Sequence, residues 1–231
     1  MRKLWVLAWG LVVGLLILGG WRLLAQDTAR DVPEQAYSPP PTDQPISPIP
    51  PRLDLDARKV ALGRRLFHDP RLSRDDTISC ASCHAMALAG ADARPVAVGI
   101  DGRRNTVNAP TIFNSGFNFR QFWDGRASSL EEQVEGPLHN PLEMATNWRE
   151  VIAKLERDAD YRREFAAIWP DGIRAGHIKA ALAEFERGLI TPDAPFDRYL
   201  RGDHAALSAA AREGWALDRK STRLNSSHTD I

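Results

Sequence analysis

Cys80-Ala81-Ser82-Cys83-His84 is the stretch on which the reading of this 231-residue chain turns. These are the only 2 cysteines in the sequence, so they close no long loop, and their use is local rather than that of a disulfide scaffold. Two thiols at this spacing on one helical turn can add to the two vinyl groups of a haem, and the neighbouring imidazole then lies under the iron as an axial ligand. The competing readings are a redox C-x-x-C pair and half of a zinc site. Zinc needs two further ligands and no second Cys pair exists, while the redox reading leaves His84 and an export signal as coincidences. The motif therefore points to a covalent haem c held by Cys80, Cys83 and His84.

Upstream, residues 1–25 begin with Arg2 and Lys3 and continue as an apolar run from Leu4 to Gly20. This reads as an export signal whose positive end stays in the cytoplasm, so the rest of the chain is expected in the periplasm. Ala25 can precede a cut, but Leu23 is a poor small residue for the position two before it, and about 17 apolar residues is the short limit for a spanning helix. A cleaved signal peptide and a retained inner-membrane (transmembrane) anchor are both open. Residues 26–52, which include PEQAYSPPPTDQPISPIPP from Pro33 to Pro51, read as an extended Pro-rich linker.

Lys plus Arg is 30 and Asp plus Glu is 30, so the chain lacks the positive surplus that nucleic acid binding requires. With 43% hydrophobic and 26% charged residues the composition is that of a globular protein able to form a core. The length has room for an export segment plus one ordinary domain.

Residues 53–217 read as that domain, and as helices. Asp54 or Asp56 can cap a helix running toward Phe67, which Pro70 closes. Ser128 with Glu131, or Ser129 with Glu132, can box a helix through Val134 that Gly136 and Pro137 end. Asn147 with Glu150 opens another, in which Trp148, Val151, Ile152 and Leu155 recur at helical spacing. Tyr161, Phe165, Ile168 and Trp169 form a third apolar stripe, and Ile178, Leu182, Phe185 and Leu189 a fourth. No segment alternates as a strand would, so the expected fold is all-α, a cytochrome c-like haem domain with long irregular loops. The longest, between Gly90 and Arg126, is expected to be functional.

The stretches LGRRLFHDPRLS, SCASCH, NAPTIFN, QFWDGRASSLEEQ, GPLHNPLEM and TPDAPFDRYLRGD occur in an order that resembles the N-terminal half of bacterial dihaem cytochrome c peroxidases, the family that includes the MauG maturation enzyme. The resemblance implies that peroxide binds at this haem and that Glu143 is its acid-base residue, taking a proton from the inner peroxide oxygen and returning it to the outer one. It implies that Gln133 shapes the same pocket, that Trp123 relays electrons between two haems, and that Asn108 ligates a calcium ion at a domain boundary. Residue by residue the bland alternatives are a solvated loop carboxylate, an exposed helix end, simple core for Trp123 and a turn residue for Asn108. Implied partners are hydrogen peroxide and a small cytochrome c or cupredoxin donor, and a homodimer is compatible with the family.

Two departures stand out. Many relatives carry a distal histidine sixteen residues after the proximal one, where this chain has Ile100; the expected ferric haem is five-coordinate or water-bound, with Met86, His139 and Met144 as substitute ligands to be considered. His68, His177 and His204 read as surface or packing residues. The second is that no second C-x-x-C-H follows, so the second haem domain of the family is missing from this chain. Residues 218–231 read as an artefact: DRKSTRLNSSH matches, codon for codon, the translation of a common sequencing-library adapter. The expected function is reduction of hydrogen peroxide to water by the peroxidatic half of a c-type haem peroxidase. The alternatives are a single-haem electron-transfer cytochrome c and a MauG-like enzyme that oxidises a partner protein.

Overall fold

The computed structural model describes residues 46–221; the apolar segment 1–25, most of the linker and the tail from 222 lie outside the described residues. Among the described residues nine helices follow one another: α1 (Ala57–Phe67), α2 (Cys80–Cys83), α3 (Leu130–Gln133), α4 (Glu135–His139), α5 (Trp148–Leu155), α6 (Ala159–Ile168), α7 (Ala175–Arg187), α8 (Pro195–Leu200) and α9 (Ala209–Ser221). Short 3-10 turns link them. Among the described residues there is no strand, only the isolated antiparallel bridges Ala85–Ala91, Val98–Arg104 and Gln121–Ala127. No described helix is long and apolar enough to cross a membrane.

The helices begin where short polar side chains satisfy the free N–H groups of a first turn. Asp56 accepts from the backbone of Arg58 and Lys59 at the start of α1. Asn147 accepts from Glu150 N at 3.1 Å before α5, and Asp158 caps α6. The apolar stripes form one core: Val151, Leu155, Tyr161, Phe165 and Ile178 are fully buried, with Trp148, Ile152, Ile168, Trp169 and Leu189 packed against them. Helix α1 crosses α7 so closely that a Cβ at Gly63 would lie 1.9 Å from the Ala181 carbonyl oxygen. Only glycine permits that approach, and it brings Phe67 to Phe185 with ring centroids 5.2 Å apart.

Three details differ from the sequence reading. Gly136 and Pro137 do not end the helical segment. Ser129 caps α3, and α4 continues through both residues as far as His139. Pro137 is the third residue of α4, in a first turn whose N–H groups have no partner within the helix, so its missing donor costs nothing there. Glu132 also reaches one residue further back than a regular box, accepting from Ser128 N at 2.7 Å. Second, the packed chain begins before residue 53: Ile49 N donates to Asp197 at 2.8 Å, and Arg201 donates to the Ile49 carbonyl. Third, α9 runs helically through Asp218 to Ser221, into the segment that reads as adapter.

Candidate active site

Cys80 to Cys83 form the single turn of α2, and His84 is its C-cap. Its conformation is set locally: the Ser82 hydroxyl accepts from Ser79 N at 3.0 Å, and His84 N donates to Cys80 O at 3.0 Å. The approach to it is tied down from elsewhere in the chain. Lys154 of α5 donates to the carbonyls of Ser73 and Arg74 at 2.6 and 3.0 Å, and Arg74 N donates to Met144 O at 2.9 Å.

A cavity of about 630 Å³ opens beside the motif, in the range of small-molecule sites. Cys80, Cys83 and His84 line it together with Gln133, Met144 and Glu143. The His84 ring places Nδ1 3.0 Å from the Gly90 carbonyl, so Nδ1 carries the proton and Nε2 keeps its lone pair for a metal. Burial pushes the imidazole below its ordinary value, which keeps it neutral and ready to ligate. Burial also raises both thiols, Cys80 up to about 12. A redox C-x-x-C pair is activated by the opposite shift, so the thiols are poor candidates for exchange chemistry. Among the described residues no group of three or more His, Cys, Asp or Glu side chains is placed to hold a metal ion. Two reduced thiols and a tautomer-fixed imidazole on one wall of a roomy cavity fit a haem c.

Glu143 is half-buried in the same cavity, and its Oε1 accepts from Asn105 Nδ2 and from Asn140 Nδ2, each at 2.7 Å. Its backbone is held too: Ile100 N donates to Glu143 O at 2.8 Å. This contact depends on Gly99, where a Cβ would lie 2.2 Å from Leu142 O and 2.5 Å from Glu143 Cα. The 97–107 segment is a tight return, bridged at Val98–Arg104, whose purpose in the fold is to clamp the Glu143 loop by backbone and by amide. Glu143 is thus a half-buried carboxylate with two amide donors on one oxygen.

The long 90–126 segment supplies much of the cavity wall, including Ala97, Asn105 to Ile112, Ser115 and Gln121. Trp123 also lines it, yet it is 65% exposed, so it is not core; its Nε1 donates to Asn108 O at 3.2 Å. Asn108 is exposed beside it. Ile100 is fully buried and is not part of the cavity wall. Of the substitute ligands, Met144 lines the cavity, Met86 packs against the core outside it, and His139 sits 3.4 Å from Glu135 with its ring edge-on to Trp148. His177 stacks on Trp169 at 4.6 Å and His68 bonds the Arg64 carbonyl at 2.8 Å, the packing roles expected of them.

Sequence reasoning did not find Asn105 and Asn140, which look like ordinary turn residues, nor Glu186. Glu186 lies on the apolar stripe of α7, four residues after Leu182, and a charge at a core position was the available signal.

The family described as di-haem cytochrome c peroxidase matches residues 57–205. The chain is similar to the cytochrome c peroxidase Ccp of Escherichia coli strain K12, with 49% identity over 84% of this chain and 42% of that protein. It is similar to the cytochrome c551 peroxidase of Nitrosomonas europaea, with 40% identity over 76% of this chain and 53% of the relative. With the methylamine utilization protein MauG of Methylorubrum extorquens it shares 40% identity over 74% of this chain and 49% of the relative. Among solved structures it resembles a MauG-like protein associated with microbial copper homeostasis, with a TM-score of 0.65 and 38% identity over 76% of this chain and 54% of that one. The chain spans about half the length of the curated relatives it matches.

Proposed function

The chain belongs to the di-haem cytochrome c peroxidase family, and from that premise we propose that it forms the peroxidatic half of a periplasmic enzyme that reduces hydrogen peroxide to water. The observation that carries this is the shared cavity: a carboxylate steadied by two amides stands in the same pocket as the haem-attachment motif.

Cys80, Cys83 and His84 are the residues that would hold a haem c, and such a haem would supply the iron chemistry that activates peroxide. Everything else falls to the side chains. Glu143 accepts the proton from one peroxide oxygen and returns it to the other, so that water can leave. Asn105 and Asn140 donate to a single oxygen of that carboxylate, which leaves Oε2 free of them and fixes where it points. Gln133 lines the same cavity, where its amide can orient peroxide. Trp123, exposed at the rim, is the aromatic group through which electrons from a small cytochrome c or cupredoxin arrive by way of a second haem domain. Asn108 is the oxygen donor this reading assigns to calcium; the other ligands, about six to eight in all, would come from backbone, water or a neighbouring domain. Export by the 1–25 segment, with the haem attached outside the cytoplasm, belongs to the same reading.

A shuttle cytochrome needs a methionine or histidine on the distal side of its iron, and Met144 is the residue of that kind on the cavity wall. A peroxide titration of the matured protein separates the two functions. The unaltered chain should show a Soret band and react with peroxide, while Glu143→Gln should retain the band and react about 100-fold to 10,000-fold more slowly. Equal rates would remove Glu143 from the mechanism; a colourless protein would remove the haem.

A further inference from the structure

Glu186 has no role in the chemistry above, and its surroundings are unusual. It is 7% exposed, sits on the buried face of α7, and lines the haem cavity. Among the described residues its carboxyl has no hydrogen bond and no ion pair. The nearest cation in sequence, Arg187, is taken by others: it donates to Glu131 at 2.6 Å and to Glu184 at 3.4 Å. Of the other elements packed around it, α3 brings the carboxylates Glu131 and Glu132 and no cation, and of the guanidiniums on the cavity wall Arg126 is paired with Asp124 at 2.8 Å while Arg120 is exposed. The buried face of α1 is Leu62, Gly63, Leu66 and Phe67; the 3-10 turn at Ser115–Phe117 presents Ser115; and α2 presents the Cys80 thiol. Two more buried polar groups line the same cavity. Among the described residues Ser115 Oγ has no hydrogen-bond partner, and Gln121 donates Nε2 to Ser115 O at 2.9 Å.

An ionised carboxylate this deep without a partner is costly, so it must either carry a proton or be matched by positive charge in the cavity. Burial pushes Glu186 up to about 7; the Glu131 charge adds to this and Arg187 opposes it. The haem supplies the second option in one oxidation state only. A ferric porphyrin core has a net positive charge and a ferrous core has none.

Resting on the haem reading above, we propose that Glu186 takes up a proton when the haem is reduced and releases it on oxidation, which makes it the group that couples the haem potential to pH. The step balances: one electron from a chemical reductant converts ferric to ferrous haem, and one solvent proton forms the O–H bond of the Glu186 carboxyl. Reduction favours the protonated form because the charge that had matched the carboxylate is gone. The potential therefore falls as pH rises, across the window between the ferric-state and ferrous-state affinities of Glu186 for its proton.

The test is spectroelectrochemistry of the haem-loaded chain across the neutral pH range. The unaltered protein should show a reduction equilibrium that falls up to tenfold per pH unit, about 59 mV for a one-electron couple. Glu186→Gln, neutral at every pH, should flatten that profile while the Soret band stays. A variant slope equal to that of the unaltered protein assigns the proton to another group, such as Glu143, and overturns the proposal. If Glu186→Gln does not mature, redox-difference infrared spectra of the unaltered protein decide it. A protonated-carboxyl C=O band that grows on reduction and shifts in D2O supports the proposal, and no such band overturns it. A coloured protein with a flat profile sinks the Glu186 coupling alone, whereas a colourless one sinks the haem reading and the coupling with it.

Discussion

Replacing Gly99 by alanine should damage the site without touching a reacting group. The new Cβ would stand 2.2 Å from Leu142 O, 2.5 Å from Glu143 Cα and 2.6 Å from Glu143 O. Ordinary contacts with carbon lie at about 3.5 to 4.0 Å, so the two backbones must part by roughly 1 Å or more. No flexible side chain is available to yield, because all three obstructing atoms are backbone. Overpacking of this kind costs about 1 to 3 kcal/mol. The shift also strains the bond from Ile100 N to Glu143 O, 2.8 Å long, and Ile100 is fully buried, so losing it adds about 1 to 3 kcal/mol for an unsatisfied donor. For a domain of this size each kcal/mol moves the melting temperature by about 2 to 4 °C, which gives a fall of roughly 5 to 20 °C. A displacement of about 1 Å at Glu143 should also slow the peroxide reaction on the order of 100-fold.

The assays are a thermal melt followed in the Soret band and a rapid-mixing measurement of the first reaction with peroxide. Gly214→Ala is the control. Gly214 lies in α9 with open space where a Cβ would go, and alanine there should stabilise by about 0.5 to 1 kcal/mol and leave the peroxide rate alone. A Gly99→Ala protein that melts and reacts like the unaltered chain would show that the Glu143 loop is not held by the 97–107 return.

Three other outcomes are expected. The Tyr161 hydroxyl donates to Asp69 at 2.7 Å in the core, so Tyr161→Phe should cost about 1.5 to 3 kcal/mol at neutral pH, read by denaturant titration. Burial pushes Asp69 up, but hydrogen bonds from Arg71 and Tyr161 outweigh it and hold the carboxyl below its usual range. A carboxyl with a depressed folded value stabilises above its unfolded value, about 3.9, and loses that contribution as pH falls further. Acid unfolding should therefore steepen below that point and be shallower in Tyr161→Phe. The resting ferric protein should give a high-spin paramagnetic resonance signal, because Ile100 cannot ligate iron and lies outside the cavity; a purely low-spin spectrum abolished by Met144→Leu would name Met144 as the distal ligand instead. Trp123→Phe should change stability by no more than about 0.5 kcal/mol in a melt, since the ring is 65% exposed; a larger loss would return Trp123 to the core.

Much of the scaffold was legible because it is written locally. Capping by Asp56 and Asn147 and the stripes of α5, α6 and α7 need only residues three or four apart, and each took the place its spacing implied. Gly136 and Pro137 look like a helix stop in the sequence but fall in the first turn of α4, where a missing N–H breaks no hydrogen bond. The 90–126 segment was legible as irregular but not as a wall. Its path depends on left-handed backbone at Asp101, Asn114 and Phe122, residues that do not advertise it as glycine would.

The site itself divides along the same line. The Cys80–His84 motif is contiguous, so its reading needs only five residues. The carboxylates are not self-describing, because the state of each is decided by groups distant in sequence. Glu143 is steadied by Asn105, 38 positions away, and by Asn140 in its own turn. Glu186 is left without a partner because Glu131, 55 residues earlier in the chain (186 − 131), draws off the Arg187 guanidinium. Among the described residues two carboxyls of one cavity, Glu143 and Glu186, thus stand in opposed circumstances, one furnished with donors and the other with none. Such a difference is what separates an acid-base group from a store of protons, since environment and not residue type sets which oxygen is free to move a proton in catalysis. On the coupling proposed above, a glutamate that reads as an error in an apolar stripe is a charge whose counterpart a bound haem would carry.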